Sequence, residues 1–143
     1  MNNSAITCCG NVTQDPEMSY TDSNIPKLRF SVACNRNYKK GDEWVEETSF
    51  FNVVAWRKLA DDTADILEKG VGVIVQGRME QRSWEDKEGN KRSTVEVVAD
   101  NVAIQTRSIA DFTRKRGGDN AEGGKSQKAA SPRQQESAEK DPF

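Results

Sequence analysis

Apolar and polar residues alternate along several stretches of the chain and recur at helical spacing along one more. The stretch that organises the rest runs from Thr48 to Ala60. Its first nine residues, Thr48-Ser49-Phe50-Phe51-Asn52-Val53-Val54-Ala55-Trp56, are rich in β-branched and aromatic side chains, which favours a strand. Successive side chains of a strand point to opposite faces. Phe51, Val53 and Ala55 then make an apolar face fit for a core. Phe50, Asn52, Val54 and Trp56 make the other face, and Arg57 follows at once. Two readings stay open at this point. The strand is buried on both faces, or its second face is an outward surface on which flat ligands stack.

The same alternation predicts further strands. Ile6 to Val12 is one, ending at Gly10-Asn11, and Asp15-Pro16-Glu17 is a turn signal. In Lys27 to Arg36, Leu28, Phe30, Val32 and Cys34 point inward, and Arg29, Ser31, Ala33 and Asn35 outward. Tyr38 to Trp44 is a polar connection, so residues 27–56 make a long hairpin. Leu59, Ala60, Thr63, Ala64, Ile66 and Leu67 recur at helical spacing, and Gly70 is a helix stop. Val71 to Arg82 is a strand that puts Arg78, Glu80 and Arg82 on one side, with Trp84 if it continues. Glu85 to Asn90 is a hairpin loop, Arg92 to Val98 returns, and Asn101 to Thr106 is a last extended piece. Three strands, a helix and a hairpin are the order of an all-β, five-stranded barrel with a short helix between the third and fourth strands. That is the oligonucleotide/oligosaccharide-binding (OB) fold, which takes ligands on its middle strands and their loops.

Composition narrows the chemistry. The chain has 143 residues and a net charge of −2, so any basic surface is local rather than global. It holds no apolar run long enough to span a bilayer, and Met1-Asn2-Asn3-Ser4 lacks the features of a signal peptide. Cys8, Cys9 and Cys34 have no metal-binding spacing, and the chain has no histidine, which disfavours zinc. We therefore expect free thiols in a reducing, cytoplasmic compartment, with no metal and no cofactor. A catalytic cysteine would lack its commonest base. Asp119 to Ser126 ends like a phosphate-binding loop, but Asp119 stands where the first glycine belongs and no strand precedes it.

What the chain does offer is rings beside cations. Phe50, Trp56 and Trp84 project from strands, and Tyr38 and Trp44 sit in a connection. Arg36, Lys39, Lys40, Arg57, Arg78, Arg82, Lys87, Lys91 and Arg92 lie near them in sequence. Single-stranded DNA asks for both, since bases stack on rings and phosphates seek cations. Core packing is the competing reading for any one ring, and it is weakest for Trp84 among polar neighbours. Trp44 suits a loop tip or a subunit contact as well as a ligand.

Across residues 5–107 the chain resembles the bacterial single-stranded-DNA-binding protein family. The resemblance rests on Gly10-Asn11 with Asp15-Pro16-Glu17, on Val53 to Ala60, on Val73-Ile74-Val75-Gln76-Gly77-Arg78, and on Gln81-Arg82-Ser83-Trp84 with Gly89 and Arg92. It implies an OB-fold, a homotetramer, and stacking at Tyr38, Phe50, Trp56 and Trp84. It also implies roles in replication, recombination and repair on nucleoid DNA. Phe50 stands where many members have Trp. The Trp44 loop and the Trp84 segment look most like the actinobacterial branch or its phages. An enzyme or enzyme subunit on the same barrel is the alternative class, and unclustered carboxylates speak against it.

The expected domain is 1–107, followed by a disordered tail over 108–143 rich in Gly, Ser, Gln, Lys and Glu. Family tails end in acids, Pro and Phe, a tip that docks replication and repair enzymes. Asp141, Pro142 and Phe143 match it, although Lys140 interrupts the acids, so weaker docking is expected.

Overall fold

The computed structural model describes residues 3–114. Its elements are β1 (Ala5–Val12), β2 (Glu17–Tyr20), β3 (Pro26–Lys40), β4 (Glu43–Trp56), α1 (Arg57–Ala64), β5 (Gly72–Glu85) and β6 (Lys91–Ile104), with a 3-10 turn at Thr106–Ser108. Five strands pair in the order β1-β5-β6-β4-β3, and β1 also pairs with β3, which closes a barrel. The β4–β6 pairing is parallel and the others are antiparallel. β2 is an extra edge strand on β3. The helix lies between β4 and β5, after the third strand of the barrel, so the expected all-β OB-fold is found.

The inward alternation forms the core. Leu28, Phe30 and Val32 of β3 meet Val53 and Ala55 of β4, Val73 and Val75 of β5, and Val97 and Ala99 of β6. Ala60 and Thr63 of α1, with Leu67 beyond it, close one end. The helix is shorter than its apolar spacing predicts. After Ala64 the chain tightens, with Ile66 N–H donating to the Thr63 carbonyl at 3.2 Å, and Leu67 is buried by that turn. β6 runs unbroken through Asp100, where two pieces were expected.

Two glycines let strands cross. A Cβ on Gly10 would lie 2.1 Å from the Ala33 carbonyl oxygen, where β1 folds over onto β3. A Cβ on Gly77 would lie 2.0 Å from the Val98 oxygen, at the register shift between Gln76 and Gly77, where Asp100 is the extra residue that bends β6.

Cys8 is buried, Cys34 half-buried and Cys9 exposed, all as free thiols. Burial, reinforced by Cys34 beside it, pushes the Cys8 thiol up to about 11. Beyond residue 107, the Ser108 hydroxyl still accepts from Gly72 N–H at 2.8 Å. The rest of the expected tail past Arg114, including Asp119 to Ser126 and Asp141 to Phe143, lies outside the described residues.

Candidate nucleic-acid interface

Residues paired across a ladder share a face. β4 therefore carries Phe50, Asn52, Val54 and Trp56 outward beside Ala33, Ser31, Arg29 and Lys27 of β3. Val54 aligns with Val98 of β6, and on β5 Arg78 pairs with Val98, Arg82 with Thr94 and Trp84 with Arg92. Two shallow grooves follow this outward face, and a third lies mainly on the opposite face of the β5–β6 hairpin. One of about 530 Å³ runs between Trp56, Arg57, Arg78 and Asp100. The next, about 490 Å³, has Arg29, Asn52, Val54, Arg82, Trp84 and Glu96 on its walls and floor. The third, about 520 Å³, is walled by Gln81, Ser83, Glu85, Lys91 and Ser93, which alternate onto the other face, with Trp84 and Arg92 at its border. Trp84 lines both of the last two and is 46% exposed.

Cations attend both tryptophans. Lys27 Nζ stands 5.0 Å from the centre of the Trp56 ring, and the Arg82 guanidinium stands 6.0 Å from that of Trp84. Burial, then the neighbouring Arg29 and Arg82 charges, lower the Lys27 pKa from its usual value. Arg57 starts α1 with φ +58°, in the left-handed region that side chains other than Gly seldom occupy. The strained residue lies in the groove beside Trp56.

Beyond the barrel, β3 and β4 continue as a projecting hairpin, whose turn at Gly41-Asp42 follows the Lys40–Glu43 pair. Trp44 and Lys39 pair on the face that carries Phe50, and these rings are 74% and 68% exposed respectively. Tyr38 and Arg36 belong to the opposite face. There the Tyr38 hydroxyl donates to Glu47 Oε1 at 3.0 Å, and Arg36 Nη2 meets Glu47 Oε2 at 2.6 Å. The hydrogen bond from Arg36, then that from Tyr38, holds the Glu47 carboxyl below its usual range. Arg36 also lies over the Tyr38 ring at 5.2 Å.

The candidates therefore fall into groups. Trp56, Trp84, Arg57, Arg78, Arg82 and Arg92 border the grooves from the outward face, whereas Lys91 lines the third groove from the opposite one. Phe50, Trp44 and Lys39 extend that face along the hairpin, with Lys40 at its end. Lys87 is in the β5–β6 turn, which Asp86 ties by accepting from Asn90 N–H at 2.9 Å and Arg92 Nε at 3.1 Å. Tyr38 and Arg36 form a separate cluster. Sequence reasoning missed Lys27, Arg29 and Glu96 as site residues. The signal was present for Arg29, whose outward parity sets it level with Val54 once the hairpin register is known.

Residues 2–105 match the single-strand binding protein family. A single-stranded DNA-binding protein of Borreliella burgdorferi is 41% identical over 101 residues, which is 70% of this chain and 68% of that one. Single-stranded DNA-binding protein 2 of Streptomyces coelicolor is 39% identical over 116 residues, 79% of this chain and 58% of that one. The crystal structure of the small single-stranded DNA-binding protein from Streptomyces coelicolor superposes with a TM-score of 0.62 at 30% identity. It covers 75% of this chain and 98% of that one.

Proposed function

The chain belongs to the single-strand binding protein family, and from that premise we propose that it binds single-stranded DNA with little regard to sequence. The family is one of binding proteins, not enzymes. One observation carries the reading: Trp56 and Trp84 share an outward face, each with a cation on its flank. Every base has a π-face, so stacking tolerates any sequence, and the cations supply phosphate contacts. Phe50 and Trp44 would extend the stacking track along the hairpin. A local band of cations explains how a chain of net charge −2 could hold a polyanion.

The test is a titration of oligo-dT followed by tryptophan fluorescence. Binding should quench emission at low salt, and an unchanged signal would overturn the stacking model. Trp56→Ala and Trp84→Ala should each weaken binding by roughly 1–3 kcal/mol with the fold intact by circular dichroism.

The finer parts of the proposal are a homotetramer and partner recruitment, with residues 1–107 as the binding domain. Half-exposed Ile74, Met79 and Val95 on the barrel support self-association. Light scattering should give about four times the 16.0 kDa chain mass. Recruitment of replication and repair enzymes is assigned to Asp141, Pro142 and Phe143, on their match to the family's docking motif. Removing those three should abolish partner capture and leave DNA affinity unchanged or slightly higher, since it removes negative charge that competes with phosphate.

A further inference from the structure

In the central groove a carboxylate stands between the cations. Glu96 Oε1 accepts from Arg29 Nη2 at 3.2 Å and lies 3.4 Å from Arg82 Nη2. Its side chain is only 13% exposed, while the two arginines are about half exposed. The strand order makes this arrangement unusual. Arg29 is on β3 and Glu96 on β6, with β4 between them. Arg29 pairs with Val54 of β4, so its aliphatic stem crosses Val54 to reach the carboxylate. Val54 is accordingly 2% exposed although it points outward. Arg82 arrives from β5 on the other side. Among the described residues neither guanidinium makes a second ion pair, so each keeps other N–H groups for a ligand.

We infer that Glu96 is a positioning residue for DNA, locking Arg29 and Arg82 into one fixed pair of phosphate-binding forks across four strands. The inference rests on the proposed DNA binding. Without the carboxylate the two guanidiniums repel each other, with Lys27 adding to the repulsion, and each must be ordered by the DNA itself. Ordering before binding removes that cost from the binding step.

The inference has a sign that simple charge counting does not. A carboxylate in a phosphate-binding groove should only repel, so Glu96→Gln would tighten binding and steepen its salt dependence. Positioning predicts the reverse. Glu96→Gln should weaken oligo-dT binding at moderate salt by about fivefold or more, with the melting temperature unchanged. In an Arg29→Ala/Arg82→Ala background the same substitution should no longer weaken binding, because only repulsion is left to remove. If the wild-type chain binds oligo-dT and Glu96→Gln binds equally or more tightly, the inference fails and the function stands. If the wild-type chain does not bind, the function fails first. Should Glu96→Gln not fold, Arg29→Lys replaces it. That variant keeps the charge and loses the planar fork. A loss of about threefold or more supports positioning, and wild-type affinity overturns it.

Discussion

Gly10 and Gly77 are held by backbone crowding rather than by backbone freedom. At each, an added methyl would meet a carbonyl oxygen of the neighbouring strand, and backbone yields far less than a side-chain tip. Gly10→Ala should therefore destabilise the fold by about 1–3 kcal/mol or more, read as a lower urea midpoint. An unchanged midpoint would mean that β1 does not lie on β3 as described. Cys8 gives a second prediction at this scale. Its thiol titrates near 9 when unfolded and is pushed up to about 11 by burial in the fold. The folded state thus holds the proton more tightly, and stability falls as pH rises between those values. Under reducing conditions, wild type should lose melting temperature from pH 9 to 11 more steeply than Cys8→Ala. Parallel curves would show that the thiol does not titrate with unfolding. Residue types and spacing made Trp56, Trp84 and Arg82 legible as candidates. They could not reveal Glu96: Arg82 reaches it across the β5–β6 hairpin, but Arg29 comes near it only through the pairing of β4 with the distant β6.

The β3–β4 hairpin shows what alternation can and cannot decide. The inward sets of both strands were readable directly, because a core face demands an unbroken apolar series. Tyr38 was harder to place. Reading residues 38–44 as one polar connection leaves the turn unlocated and the register of the outer hairpin undefined. The turn at Gly41-Asp42, with Gly41 at φ +65°, fixes that register and puts Tyr38 opposite Val45, on the other side from Phe50. β2 was hidden for a different reason: four residues beside Asp15-Pro16 carry too little pattern to outweigh a turn signal. The exposed hairpin also gives an element-scale expectation. Trp44→Ala should leave the melting temperature within a degree or two, since a side chain so exposed contributes little to packing. A clear drop would instead place Trp44 in a contact between copies of the chain.

At the scale of the whole molecule, the barrel is closed by strands far apart in sequence. β1 zips against β5, and β4 lies parallel to β6. The proposed DNA-binding groove depends on the β4–β6 pairing, because it draws Arg29, Val54, Arg82 and Glu96 from four strands. The net charge of −2 said nothing of this, since the cations gather only when the sheet curls. The helix adds a cap at one end and no groove chemistry beyond Arg57 and Leu59.

The parallel β4–β6 pair has a consequence for the order of events during synthesis. Until β6 has left the ribosome, a nascent chain can assemble β1 to β5 at most, as an open sheet. Its two outer strands, β4 and β5, then each show an unpaired edge, and such edges recruit other chains. Formation of the native structure must wait for the last strand, and contacts between distant segments make that step slow, on the order of milliseconds to seconds. A fragment stopped after Glu85 should therefore scatter light and bind amyloid dyes at concentrations where the full chain remains clear. A monodisperse fragment would show that the open sheet protects its own edges.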